Sequence, residues 1–375
     1  MVRWVSGVTV STEVLMKTVE EFVDELARQE TVTSVGLFGS WARYEASEAS
    51  DLDFLVVDRS GIDFEFYELV ERGGLLFDMN RIPWSWVGEV VRPEIDHRLH
   101  EAVVLYDRGG LLERARGFVE GNYRTPGRVE VRTEGYLATS ETYLSRASSA
   151  MTRRDPETAA VYTDVSLYEA SSILMDVAGF PITRGSFVWN MRRACEKLRE
   201  EEVYRAVMSG TRLSEVVRPD VDQGLGGFEA VWRQVSGYIG YNRHVVEGMH
   251  EVLKRDIAYM TDPAMLRLIL SRAGGMLEGN DFVEALVYLR GWLLRLLEDY
   301  AWVMSAKRGD KFDYTSLFRT IGEDEKAKDV FDDVFEIFNL GGVDEGVARR
   351  ALGEARSVIS RVRRDRRRLI EEHLG

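Results

Sequence analysis

Two carboxylates one residue apart, Asp51 and Asp53, head an apolar run that otherwise reads as a buried β strand. Strand residues at i and i+2 project from the same face. Both carboxylates therefore point together, while Leu52, Phe54 and Val56 enter the opposite face and a core. Like charges held side by side on a rigid strand are unfavourable unless a cation or hydrogen-bond donors share them. The stretch from Val35 to Val57, VGLFGSWARYEASEASDLDFLVV, is thus the tightest constraint on the chain. One apolar strand runs into Gly39-Ser40, ten residues follow, and the carboxylate-bearing strand begins.

The surrounding sequence supplies a small α+β domain. Apolar residues at 14, 15, 19, 22, 23 and 26 predict a helix from Val14 to Leu26, with Ser11 or Thr12 as N-cap. Thr33 to Phe38 reads as the first strand, Trp41 to Ala46 as the start of a helix and Leu52 to Val57 as the second strand. Asp63 to Glu71 reads as a helix closed by Gly73-Gly74. Leu75 to Ile82 is a third strand, His97 to Glu101 a short helix and Val103 to Tyr106 a last strand. Residues 1–121 then form a domain with a mixed sheet.

Beyond Gly121, helical periodicity takes over, and Asn122 to Arg128, with Pro126-Gly127, reads as a linker. The helical part carries an internal repeat. A shift of 126 residues aligns Leu144-Ser145-Arg146-Ala147 with Leu270-Ser271-Arg272-Ala273. It also pairs Asp155 with Asp281, Ala159 with Ala285, Val161-Tyr162 with Val287-Tyr288, and Leu167 with Leu293. The expectation is an all-α region with a duplicated helical bundle, roughly 133–200 and 259–325. As domains, 129–257 would hold the first unit and a long connecting helix, Phe228 to Arg255. Residues 258–375 would hold the second unit and a basic C-terminal helix, Val343 to Leu374.

Composition narrows the class. No run approaches the ~20 apolar residues that span a bilayer, and MVRWVSGVTVSTEV lacks the pattern of a signal peptide. Cys195 is the single cysteine, which excludes an internal disulfide and a cysteine-based metal site and points to the cytoplasm. The net charge of −14 speaks against broad nucleic-acid binding. Three Gln and six Asn against heavy Glu and Arg use lean towards a thermophile.

The chemistry follows from residue type and placement. Paired carboxylates on one strand edge suit Mg²⁺, which completes its shell with phosphate oxygens and water. Asp78 is a third candidate. In LLFDMNRI it shares a face with Leu76 and Asn80, and an Asp inside an apolar strand needs a partner or a metal. It could bind a second metal or take a proton from an attacking hydroxyl. Gly39 lets backbone approach a phosphate, and Ser40 with the amides of the following helix can hold phosphate oxygens. Arg43, one turn on, either reaches a triphosphate or pairs with Glu45 or Glu48.

Gly-Ser, ten residues, Asp-x-Asp and a later strand Asp resemble the DNA polymerase β superfamily of nucleotidyltransferases. GSWAR…SDLDFLVV is similar in particular to the minimal and the kanamycin-type nucleotidyltransferases, over about residues 12–110. The resemblance implies that a nucleophile attacks the α-phosphate of ATP or another NTP, and that pyrophosphate leaves. It assigns Asp51, Asp53 and Asp78 to two Mg²⁺ ions, Asp78 also to acceptor activation, and Gly39, Ser40 and Arg43 to the nucleotide. Tyr44 departs from the pattern, since the minimal enzymes usually carry Gly there.

YEASSILMDVAGFPITRGSFVWNMRRA resembles the helical C-terminal domain of kanamycin-type enzymes and related HEPN-like bundles, where a helix carboxylate serves as base. Glu141 and Glu169 are the candidates. Some HEPN proteins are ribonucleases with Arg, four to six residues, then His; Arg243 to His250 and Arg368 to His373 fit that loose spacing. The cluster Arg361, Arg363, Arg364, Arg366, Arg367, Arg368 is either a solvated helix end or a phosphate or RNA contact. His97 and His100 read as packing or surface residues, having no third ligand at a useful spacing.

The leading expectation is a Mg²⁺-dependent nucleotidyltransferase that moves NMP, with AMP first, to a hydroxyl of a small molecule or a protein. RNA or tRNA end addition is the alternative, disfavoured by net charge. A non-catalytic nucleotide-binding or antitoxin-type module is the second alternative. No membrane partner is expected. The oligomeric state stays open, with a homodimer among the options.

Overall fold

The structure, a computed structural model, describes residues 12–46, 50–323 and 328–375. The expected N-cap at Ser11 or Thr12 and the N-terminal leader reading lie outside the side chains it describes, as does Glu48. In chain order the elements are α1 (Thr12–Arg28), β1 (Val32–Phe38), α2 (Gly39–Ala42), β2 (Leu52–Asp58), β3 (Phe66–Arg72), β4 (Leu75–Pro83), α3 (Asp96–Glu101), β5 (Val103–Asp107) and α4 (Leu111–Asn122). Helices then follow: α5 (Pro126–Thr152), α6 (Pro156–Ala178), α7 (Phe187–Leu198), α8 (Glu201–Gly210), α9 (Arg218–Tyr241), α10 (Arg243–Glu247) and α11 (Glu251–Met260). The last are α12 (Pro263–Glu278), α13 (Phe282–Arg308), α14 (Leu317–Gly322), α15 (Lys328–Phe338) and α16 (Glu345–Leu374). A mixed-sheet α+β domain is followed by an all-α region.

The chain divides into two compact units. The first comprises Met1–Tyr123 and His250–Leu268, the second Arg124–Met249 and Ile269–Gly375. Residues 250–268, which the sequence divides between two helical domains, group with the first unit.

In the first unit, five strands lie in the order β3-β4-β2-β1-β5. The β2–β4 pair is parallel and the other pairs antiparallel. One sheet face carries Val35, Leu37, Phe54, Val56, Phe77 and Met79, packed on Leu15, Val19 and Phe22 of α1. The opposite face carries Leu55, Val57 and Ile82, packed on Leu99, Leu112 and Val119 of α3 and α4. Each strand of the centre is thus apolar on both faces except at its carboxylate end.

The residues expected to be helical from Asp63 to Glu71 contain a strand instead, β3. Phe66, Tyr67, Leu69 and Val70 favour a pleated surface. Gly73 and Gly74 both take positive φ, +59° and +77°, which makes them a two-residue hairpin turn rather than a helix stop. The hairpin sets Leu69 against Asp78 and Tyr67 against Asn80.

The single long helix expected from Phe228 to Arg255 is three helices. The Asn242 side chain donates to the Tyr238 carbonyl at 2.8 Å and ends α9. The chain leaves α10 at Gly248, and His250 Nδ1 accepts from the Val252 amide at 3.3 Å to cap α11. Polar side chains bonding local backbone compete with helix continuation.

In the second unit, the shift of 126 residues recurs in the helix ends. It carries the end of α5 at Thr152 onto the end of α12 at Glu278, and the start of α6 at Pro156 onto the start of α13 at Phe282. Asp155 and Asp281 are the matching N-caps, and Tyr162 and Tyr288 are both buried. Buried ion pairs tie these helices to their neighbours. Arg132 on α5 grips Asp176 on α6 through two hydrogen bonds of 2.7 and 2.9 Å, with both side chains 1% exposed. Arg290 on α13 donates to the carbonyls of Ile337 and Thr211, and Arg212 pairs with Asp164 at 2.6 Å.

The Arg-rich end of α16 is occupied within this unit. Arg361 pairs with Glu200 and Glu202, Arg363 with Glu141, Arg366 with Glu134 and Arg367 with Glu130. Arg368 pairs with Glu372, and Arg364 with Asp365. The cluster acts as a clasp of α16 on α5 and α8. Among the described residues no helix is long and apolar enough to cross a membrane.

Removing one member of a buried ion pair strands the other charge, at about 3–5 kcal/mol, whereas replacing both by apolar residues is often near neutral. Arg132→Met is therefore expected to lower unfolding free energy by about 3–5 kcal/mol in chemical denaturation. Arg132→Met with Asp176→Leu should recover most of that loss. Equal destabilisation by the single and double variants would contradict the role given to this pair.

Candidate active site

The parallel register of β2 and β4 sets Asp53 directly beside Asp78, and Asp51 immediately precedes β2. One carboxylate oxygen from each of Asp51, Asp53 and Asp78 lies within 4.8 Å of the others. Asp51 is buried, at 3% exposure, and the other two are half-buried. Below them the aromatic rings of Phe54 and Phe77 stack at 5.6 Å, and Phe22 of α1 lies 4.3 Å from Phe77. The carboxylates are held by strands whose reverse sides are locked in the core, not by a mobile loop.

Gly39 closes the site from β1. Its φ is +74°, and a Cβ added there would meet Asp53 Oδ2 at 2.1 Å. Only glycine fits both the backbone conformation and the space. Next to it, Ser40 Oγ is buried without a hydrogen-bond partner. A buried hydroxyl left unsatisfied is costly, and a phosphate oxygen would relieve it. Hard oxygen donors at this separation, beside such a hydroxyl and a glycine cradle, fit a Mg²⁺–triphosphate group. Asp51, Asp53 and Asp78 would hold the metal and Gly39 and Ser40 the phosphates.

Arg43 is engaged in ion pairs. Its Nε donates to Glu45 at 2.8 Å and its Nη1 to Glu101 at 2.5 Å. Burial opposes its charge, but the two carboxylates outweigh burial and hold its pKa above the usual value. Glu101 also accepts from the Gly39 amide at 3.3 Å. Glu101, at the end of α3, thus steadies both the glycine turn and Arg43. Tyr44, where the minimal enzymes usually carry Gly, has φ +62°, so the departure places a bulky residue in the left-handed region.

Asn80, two residues along β4 from Asp78, anchors a polar network on the same face. Asn80 Nδ2 donates to Glu65 at 2.7 Å, Arg98 Nη1 donates to Glu65 at 2.8 Å and to Asn80, and Tyr67 donates to Glu65. Burial pushes the Glu65 carboxyl up, but the charge and hydrogen bonds of Arg98 outweigh it and hold the group below the usual range. His97 hydrogen-bonds the Tyr123 hydroxyl and His100 stacks on the Tyr123 ring at 3.8 Å, so both are packing residues.

Tyr259 of α11 is the residue that sequence reasoning missed. Its hydroxyl donates to Asp78 Oδ2 at 2.8 Å. It lies 181 positions from Asp78, in a stretch expected to be part of a helical domain, and no local pattern links the two.

Glu141 and Glu169 belong to the second unit. Glu141 is paired with Arg363 at 2.9 Å. Glu169 is half-buried on α6, and desolvation raises its carboxyl to about 7. Of the two Arg–His spacings, Arg243 pairs with Glu247 and Arg368 with Glu372. The thiol of Cys195 is buried, which pushes it up to about 12. A cleft of about 630 Å³ opens in the second unit, lined by Tyr238, Tyr241, Asn242, Met304 and Lys307, and no predicted site residue lines it.

Comparison with known proteins bears on the first unit. Residues 16–84 match the family model described as "Nucleotidyltransferase domain". The matched segment runs from α1 through β4 and contains Gly39, Ser40, Asp51, Asp53 and Asp78. The first unit therefore carries a nucleotidyltransferase domain of the DNA polymerase β type. Among solved structures, the chain is similar to a nucleotidyltransferase-like protein from Exiguobacterium sibiricum. That match has 12% identity and a TM-score of 0.33 and covers 87% of this chain and 89% of that one. A likeness of that size carries no argument. No curated protein matches the chain.

Two outcomes follow from the site. Gly39→Ala forces Asp53 out of place, so divalent-metal affinity should fall about 10- to 100-fold in Mn²⁺ titration calorimetry, with the circular dichroism spectrum retained. Unchanged affinity would contradict the cradle. For Glu169, the folded-state value of about 7 stands above the ordinary 4.5, so the folded chain holds the extra proton between those values. Stability is then lost as pH rises from about 4.5 to 7, by up to about 3 kcal/mol at about 1.4 kcal/mol per unit. Glu169→Gln should melt higher than the parent at pH 8, with the gap closing by pH 5; a gap independent of pH would overturn the assignment.

Proposed function

We propose that this chain is a Mg²⁺-dependent nucleotidyltransferase that transfers NMP, AMP foremost, from an NTP to a hydroxyl group and releases pyrophosphate. The observation that carries the reading is the convergence of Asp51, Asp53 and Asp78 within 4.8 Å, beside Gly39 and the unsatisfied Ser40 hydroxyl. The nucleotidyltransferase-domain match over residues 16–84 supports it.

In this reading Asp51 and Asp53 hold the metal-bound triphosphate against β2, and Asp78 receives the acceptor proton. Gly39 permits close approach of the phosphates, and Ser40 Oγ donates to one of their oxygens. Two Mg²⁺ ions, when bound, supply charge that stabilises the attacked phosphoryl group and the leaving pyrophosphate. Arg43 is held by Glu45 and Glu101, so it acts through the shape of the turn unless nucleotide displaces one carboxylate.

The acceptor is a small-molecule or protein hydroxyl. The RNA alternative needs a basic groove, and the arginines clustered at the end of α16 are paired with carboxylates of their own unit. The acidic balance of the chain weighs the same way.

Radiolabelled ATP, CTP, GTP and UTP with Mg²⁺, offered with hydroxyl acceptors and monitored for pyrophosphate, test the reading. Transfer should be lost to background in Asp51→Ala and in Asp53→Asn, with the fold intact. Activity persisting in either variant, or the absence of NTP binding by the folded parent, would sink it.

A further inference from the structure

We propose that Tyr259 is an acceptor supplied by the chain itself, so that the protein nucleotidylates its own Tyr259. The inference rests on the nucleotidyltransferase reading and adds a covalent modification site to it.

A general base must lie about 2.6–3.2 Å from the group whose proton it takes. Tyr259 Oη donates its proton to Asp78 Oδ2 at 2.8 Å. A nucleophilic hydroxyl therefore already stands where an acceptor hydroxyl has to stand for Asp78 to deprotonate it. The side chain is 5% exposed and rigidly placed. Its ring lies 5.4 Å from that of Tyr67 on β3. The helix that carries it is fastened to the same strand: Arg255 sits 3.9 Å over the Phe66 ring and pairs with Glu68 at 3.4 Å. Just beyond, Arg267 pairs with Glu71. Tyr67, Glu68 and Glu71 belong to the edge strand next to β4, so these contacts fix Tyr259 relative to Asp78 within one compact unit. A carboxylate of the Asp51, Asp53 and Asp78 cluster hydrogen-bonded to a buried phenol is more than a structural cap requires, since a water molecule would serve the same lone pair.

The reaction balances without an added oxidant or reductant. The Tyr259 Oη–Pα bond forms and the bond from Pα to the oxygen bridging the β-phosphate breaks. Pyrophosphate leaves, and the phenolic proton passes to Asp78 Oδ2. The product is a phosphodiester between tyrosine and the nucleoside monophosphate. It removes the donor that Asp78 accepts from and leaves the nucleotide tethered, so modification is limited to one group per chain and closes the site to other acceptors.

The test uses the full chain with Mg²⁺ and each of the four NTPs, read by intact mass, peptide mapping and pyrophosphate release. The expected result is one NMP added per chain, mapped to Tyr259, with equimolar pyrophosphate. Tyr259→Phe keeps the ring against Tyr67. It should lose the adduct while still folding and binding NTP in calorimetry. Three outcomes overturn the proposal: an adduct at another residue, an adduct that persists in Tyr259→Phe, or no adduct in a chain that binds NTP and transfers NMP to an added hydroxyl. The last would leave the nucleotidyltransferase reading intact. A folded chain that binds no NTP would end both.

Discussion

The parallel pairing of β2 with β4 is the constraint on which the site depends. It places Asp53 beside Asp78, a juxtaposition of like charges that only a deep core on the other side of the sheet can hold. The stack of Phe22, Phe54 and Phe77 supplies that core. Antiparallel partners flank the pair: β1 brings Gly39 to Asp53, and β3 brings Leu69 to Asp78. The free energy gained behind the sheet by apolar burial offsets the repulsion in front of it. Elsewhere on that face the same need for compensation is met by other means, as Arg98 satisfies Glu65 and Asn80.

The two units solve the problem of buried charge differently. In the first unit Asp51, Asp53 and Asp78 are gathered into one carboxylate cluster, which suits a cationic ligand. In the helical unit buried carboxylates meet guanidiniums or backbone amides: Asp176 with Arg132, Asp164 with Arg212, Asp155 with the Thr158 amide and Glu284 with the Trp189 amide. On Glu169 burial alone acts, and its carboxyl is raised to about 7. The arginines at the end of α16 belong to the same scheme, neutralised by α5 and α8 rather than offered to a polyanion.

Tyr259 joins the carboxylate face to a helix far along the chain. The hydrogen bond to Asp78 and the ring contact with Tyr67 draw α11 onto the edge strand. A solvent-accessible edge strand is a liability, and covering β3 gives α11 a structural reason to be there, independent of what its tyrosine does at the carboxylate cluster.

The amino-acid sequence by itself determined the central strands β1, β2 and β4, the helix α1 that packs on them, and the closeness of Gly39, Ser40, Asp51 and Asp53. These follow from period-two apolar patterning and from residues close together in the chain, where local physics suffices. It pointed to Asp78 too, because an Asp inside an apolar strand needs a partner. β3 was misread because its apolar spacing also fits a helix, and only the consecutive positive φ values of Gly73 and Gly74 make the turn a hairpin. The long helix expected from Phe228 to Arg255 failed at Asn242 and His250, whose side chains bond backbone that a continuing helix would have used. The pairing of Arg43 with Glu101, the pairing of Arg361, Arg363, Arg366 and Arg367 with carboxylates of α5 and α8, and the contact between Tyr259 and Asp78 were decided by tertiary structure alone. Each joins residues tens to hundreds of positions apart, and no local periodicity encodes which distant carboxylate a given side chain will meet.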